Sequence, residues 1–219
     1  MISFYSGTPG SGKSLHVAIL IEDWLQRGKN VIANFEFRDD LVKKSWRHDK
    51  GQYLYFPDSQ IMDESLDPVS CFTGFAQNFH SADKYGSILE SQTLLVFDEG
   101  GVLFNSRDWQ TRYRRRWLWF FSQHRKFGFD IVIISQNERQ IDRQVRANFE
   151  YEYTHKRVGN FKKFGRFIEI ISLSKVFCYV IKWYGIKGQD GRVHAEFFRG
   201  TKKYYRLYNT TKIFGVKPV

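Results

Sequence analysis

Apolar and polar positions fall into blocks along the chain. Residues 2–5 form a short apolar run that gives way to a glycine cluster, after which Leu15, Val17, Leu20, Ile21, Trp24 and Leu25 recur at the spacing of one helix face. The predicted order is strand, loop, helix. Residues 30–35 read as a second strand after the stop signal of Gly28, residues 52–56 as a third, and residues 67–79 as a helix with Pro68 near its start. Residues 93–97 are continuously apolar and end on Asp98 and Glu99, the pattern of a strand buried on both faces. Trp109, Tyr113, Trp117, Phe120, Phe121 and His124 then mark a long helix closed by Gly128, followed by a buried strand over 130–135 and a helix over 141–149. Strands alternating with helices predict a mostly parallel, helix-flanked α/β sheet.

The texture changes after Glu150. Residues 151–158, 167–173, 176–184 and 192–199 are rich in aromatic and β-branched residues and are separated by glycine-containing breaks, which predicts an antiparallel, hairpin-rich extension. The expected organisation is a core over residues 1–150 with a β-rich extension of the same domain over 151–219. Charge supports that boundary. Residues 1–150 carry 19 basic and 19 acidic side chains, whereas residues 151–219 carry 15 basic and 4 acidic, so the whole +11 excess lies in the last third. Such a surface suits an anionic polymer or lipid headgroups, or is simply a solvated basic face.

With 42% hydrophobic and 26% charged residues, the 219-residue chain is neither disordered nor fibrous in composition. Cys71 and Cys178 are too few for a disulfide framework and show no zinc-ligand spacing, so they read as reduced residues. The first twelve residues do not make a secretory signal, and the apolar stretch 167–186 is interrupted by Glu169, Lys175 and Lys182, so a soluble chain is expected.

The chemistry is concentrated in Gly7, Thr8, Pro9, Gly10, Ser11, Gly12, Lys13 and Ser14, which match G-x-x-x-x-G-K-[ST] directly after a strand and at the opening of a helix. Glycines let successive N–H groups curve around phosphate oxygens at the positive end of the helix. Lys13 would reach the β- and γ-phosphates, and the Ser14 hydroxyl would bind Mg²⁺. Asp98 and Glu99, at the carboxyl end of a buried strand, are the candidates for holding Mg²⁺ and for acting as general base toward water. Gln136, at the end of the next strand, could sense the γ-phosphate or orient the water. Arginine-rich segments follow, including Arg107, Arg112, Arg114, Arg115 and Arg116; Arg125 and Arg146 are the candidate fingers for a site shared between subunits. The run Lys202, Lys203, Tyr204, Tyr205, Arg206, Tyr208 could stack bases and neutralise phosphates, or could belong to a β-rich core with a basic rim.

Together the loop near Met1, the DEGGVLFNSR segment at 98–107 and above all SQHRKFGFDIVIISQNERQIDRQVRANFEYEY at 122–153 resemble the Zot family, more loosely through YYRLYNTTK at 204–212. The resemblance implies a P-loop NTPase fold and an ATP- and Mg²⁺-dependent motor that helps extrude filamentous phage. It also implies a homo-oligomeric ring, a hexamer among the candidates, at the cytoplasmic face of the host inner membrane. Phage and host envelope assembly proteins, and single-stranded DNA or a DNA–protein complex, would be its partners. Carried over to this chain, it assigns Gly12, Lys13 and Ser14 to the nucleotide loop and Asp98 and Glu99 to the metal and hydrolysis pair. Two other readings stay open, a small-molecule kinase of the nucleoside or nucleotide type and a non-hydrolysing, nucleotide-gated module that docks on DNA or membrane.

Overall fold

In the computed structural model, which describes residues 1–63, 65–105, 112–186 and 190–208, eight strands form one sheet in the order β3-β2-β4-β5-β1-β6-β7-β8. In chain order the principal elements are β1 (Ile2–Ser6), α1 (Lys13–Gln26), β2 (Asn30–Ala33), β3 (Tyr53–Tyr55), α2 (Pro68–Phe79), β4 (Thr93–Phe97), α3 (Arg112–Gln123), β5 (Phe129–Ile134), β6 (Tyr151–Arg157), α4 (Lys162–Ser172), β7 (Val176–Trp183), β8 (Arg192–Arg199) and α5 (Lys202–Leu207). In sheet order the strands from β3 to β6 are parallel, and β7 pairs antiparallel with both β6 and β8.

Alternation along the strands splits the core into two layers. Leu95, Phe97, Ile131 and Ile133 face α2 and α3 and pack with Phe72, Trp117, Phe120 and Phe121. Leu94, Val96, Val132 and Ile134 face the other way, toward Val17, Ile21 and Leu25 of α1 and Leu207 of α5. Trp117, Phe120 and Phe121 are fully buried, and each contributes about 1.5–3 kcal/mol of burial free energy. The helical spacing read from the sequence therefore reports a real core face, although Trp109 and Arg107 lie outside the described residues.

Several expectations need correction. The extension does not begin with a hairpin: β6 joins β1 in parallel register, with Phe4 opposite Glu152, and the sheet continues without a break. Residues 167–173, expected as a strand, form the end of α4 and its C-cap, Leu173. There Glu169 turns back to take both Nε and Nη2 of Arg157 at 2.9 and 2.8 Å, a bidentate pairing across the helix–sheet contact. The helix expected over 141–149 shrinks to the single turn Arg143–Arg146, because Asp142 caps it by accepting from the Gln144 N–H at 2.8 Å while Ile141 is held in an isolated bridge to Asn105. The basic and aromatic run from Lys202 is helical rather than β-rich. Its Leu207 and Tyr208 are buried and Lys203 reaches the buried Glu22 at 2.7 Å, which removes those side chains from any stacking platform for bases.

Candidate nucleotide site

The loop between β1 and α1 turns through positive φ at Gly7, Gly10 and Gly12. At Gly12, φ is 97°, and a Cβ would stand 2.6 Å from Cδ1 of Phe177, so β7 presses directly on the loop. Glycine is required there for both backbone and space. The Lys13 ammonium donates to the carbonyls of Gly7 at 2.7 Å and Thr8 at 3.2 Å, closing the loop around itself. Burial lowers its pKa, against the raising effect of Asp98 and Glu99.

A cavity of about 590 Å³ opens at the carboxyl edge of the parallel strands. Pro9 through Ser14 form one wall, Asp98, Glu99 and Gln136 another. Three strand ends distant in sequence thus meet at the edge where α/β sheets bind ligands. Asp98 is held by Asn34 at the end of β2: the Asn34 Oδ1 accepts from the Asp98 N–H at 2.7 Å, and its Nδ2 donates to the Asp98 carbonyl at 3.0 Å and to Asp58 Oδ1 at 2.6 Å. Glu99 adopts φ 50° and ψ 41°, a left-handed conformation that carbon-branched side chains resist. Burial raises its carboxyl pKa, Asp98 raises it further, and Lys13 opposes. Desolvation likewise raises Asp58.

The Tyr208 hydroxyl donates to Asp98 Oδ2 at 2.8 Å and is also hydrogen-bonded to Ser14, so the one hydroxyl links the loop serine to the strand-end carboxylate. Among the described residues there is no cluster of three or more His, Cys, Asp or Glu that could hold a metal. A site offering one hydroxyl and one carboxylate fits Mg²⁺, which keeps waters and takes its remaining ligands from phosphates.

The two candidate finger arginines do not line this cavity. Arg125 pairs with Glu150 at 2.7 Å, beside the N-terminus and Asp130, at the edge where β1, β5 and β6 begin. Arg146 lies against Tyr184. Other members of the arginine-rich segments hold the fold: Arg114 pairs with Asp142 at 3.0 Å and Arg116 with Asp67. Residues that reading the sequence missed are Asn34, Asp58, Arg157 and Lys175, which no local motif marks; Tyr208, expected to stack on bases, instead lines this cavity.

A glycine loop closed on its own lysine, facing two acids from a separate strand, defines a P-loop NTPase. The Zonular occludens toxin (Zot) family model matches residues 1–182, and the chain belongs to that family. The Gene 1 protein of Escherichia phage If1 is 28% identical over 218 residues, 95% of this chain and 58% of that protein. The Gene 1 protein of Enterobacteria phage M13 is 29% identical over 147 residues, 67% of this chain and 39% of that one. The chain thus spans little more than half the length of such relatives, or less. In fold it is similar to the N-terminal domain of zonular occludens toxin from Neisseria meningitidis, with a TM-score of 0.50 at 16% identity over 94% of this chain and 97% of that one. It is also similar to B204, the DNA-packaging ATPase from Sulfolobus Turreted Icosahedral Virus, with a TM-score of 0.50 at 16% identity over 90% and 95%.

Proposed function

We propose that this chain is the ATP-hydrolysing, Mg²⁺-dependent part of a motor that assembles and extrudes filamentous phage through the host inner membrane. The observation that carries this reading is the convergence of Lys13, Ser14, Asp98 and Glu99 on one cavity. Loop amides and the Lys13 ammonium bind the triphosphate. Ser14 and Asp98 would hold Mg²⁺, whose charge neutralises the phosphate oxygens. Glu99 takes a proton from water as the water oxygen bonds to the γ-phosphorus, and the bond to the β-phosphate oxygen breaks to release ADP and phosphate. Gln136 orients that water. Arg125 and Arg146 stand away from their own cavity, so as fingers either would have to reach the cavity of a neighbouring subunit in a ring, a hexamer among the candidates.

Family membership and the phage Gene 1 relatives support the setting: the cytoplasmic face of the inner membrane, with envelope assembly proteins and single-stranded DNA or a DNA–protein complex as partners. Among the described residues no helix is long and apolar enough to cross a membrane, so attachment would come through association or through other parts of the protein.

Turnover assays test the proposal. Lys13→Ala should lose nucleotide binding, whereas Glu99→Gln should bind ATP but hydrolyse it at least about 100-fold more slowly. Wild-type turnover in either variant overturns the reading. Transfer of phosphate to a small acceptor would replace it with a kinase, and binding without turnover would replace it with a docking module.

A further inference from the structure

Tyr208 is fixed from three directions. The Arg38 N–H donates to the Leu207 carbonyl at 2.9 Å, Phe37 and Tyr208 form an antiparallel bridge, and the Tyr208 ring meets the edge of Phe35 at 4.6 Å. The preceding helix α5 is anchored on α1 by Lys203 and the buried Glu22. From this seat the Tyr208 hydroxyl donates to Asp98 Oδ2 at 2.8 Å, while Asp98 Oδ1 accepts the Glu99 N–H at 2.9 Å. Both carboxylate oxygens are thereby addressed and the carboxylate has one orientation. The single proton of Tyr208 goes to Asp98, so Ser14 is the donor in its own contact with Tyr208. That relay, from Ser14 to Tyr208 to Asp98, leaves lone pairs of Ser14 and Asp98 to face a cation.

We propose that Tyr208 is a positioning residue for the cation site: its hydroxyl sets the spacing and orientation of Ser14 and Asp98, and ties both to the placement of α5. The inference rests on the Mg²⁺–ATP reading above. It is tested on the full chain with a fluorescent ATP analogue, titrated in EDTA and then across a Mg²⁺ series, and with Mn²⁺ followed by EPR. Tyr208→Phe keeps the ring and removes the hydroxyl. It should raise the half-saturating Mg²⁺ and Mn²⁺ concentrations about fivefold to tenfold, the effect of losing one net hydrogen bond, while affinity in EDTA stays unchanged and the melting temperature falls by no more than a few degrees. In a Ser14→Ala background the same change should add less than about twofold. An unchanged requirement for the cation in Tyr208→Phe overturns the inference alone, and a lowered one overturns it by showing that the hydroxyl competes with the cation. Nucleotide binding by the wild type that ignores Mg²⁺ and Mn²⁺ removes the cation site itself, and the role of Tyr208 with it.

Discussion

His16 Nδ1 in α1 lies 2.8 Å from His155 Nε2 in β6, and the other nitrogen of His155 donates to the Ser6 carbonyl at 3.2 Å. A carbonyl only accepts, so His155 carries its proton on Nδ1 and His16 is the donor between the rings. His16 is also stacked on Tyr179 at 4.2 Å and on Tyr5 at 4.9 Å. The chain Ser6–His155–His16 therefore joins the end of β1, the sixth strand and the first turn of α1, bracketing the phosphate loop with neutral rings.

Acid should break this bracket. Burial, reinforced by the neighbouring ring, lowers the His16 pKa to about 3, and burial lowers that of His155 to about 4, from 6.5 in the unfolded chain. Because the unfolded state takes up these protons first, the stability they confer is complete above pH 6.5 and is lost as pH falls from 6.5 toward about 4. Melting temperatures followed from pH 8 to pH 4.5 should drop more steeply for the wild type than for His16→Phe. At pH 8 the variant should be about 1–3 kcal/mol less stable, because His155 Nε2 loses its donor in a buried site. Parallel pH profiles for the two proteins would show that the pair does not drive the loss.

Glu99 carries a local backbone cost. At φ 50° a side chain costs about 1 kcal/mol, and glycine removes that cost. Glu99→Gly should melt at the wild-type temperature or above it while losing ATP turnover at least as completely as Glu99→Gln. A fall of more than a few degrees would mean that the carboxylate serves the fold.

What the sequence reveals of this site is what lies contiguous within it. Residues 7–14 and the Asp98–Glu99 pair are each a few consecutive residues at a strand end, and their chemistry is local. Asn34, Arg157 and Tyr208 reach the cavity or its walls only through sheet order and through the return of α5 onto α1, which no spacing encodes. The errors of element type have a related origin. Phe167, Ile168, Ile170 and Ile171 are apolar enough to read as a strand, yet all four are partly or largely exposed on α4. Their pattern reports no buried sheet face, and the ion pair of Glu169 with Arg157 holds the helix in place.

Gly100 tests how tightly the acidic turn is packed. A Cβ there would stand 2.4 Å from Cγ2 of the fully buried Ile133. Gly100→Ala should cost about 1–3 kcal/mol by overpacking, and Ile133→Ala about 2–5 kcal/mol by leaving a cavity. Together they should be less damaging than the sum by at least about 1 kcal/mol, read as a coupling energy from urea unfolding of the four proteins. Simple additivity would mean that the turn shifts freely away from β5.

Arg157 combines a structural pairing with a place in the cavity wall, and the two roles separate by mutation. Its guanidinium meets both oxygens of Glu169, which also accepts the Val176 N–H at 3.3 Å, and it is the only arginine that lines the nucleotide cavity among the described residues. Arg157→Ala should cost about 1 kcal/mol, since the pair is partly open to solvent, and should weaken ATP binding because a cation is withdrawn from a site for a polyanion. Glu169→Gln removes the partner but keeps the guanidinium at the wall. It should lower the melting temperature comparably while leaving ATP affinity intact or raised, because the freed charge is no longer neutralised. Calorimetric titration of both variants with ATP checks the split. An equal loss of affinity in the two would assign the effect to the α4–β6 contact and exclude a direct role for Arg157 toward phosphate.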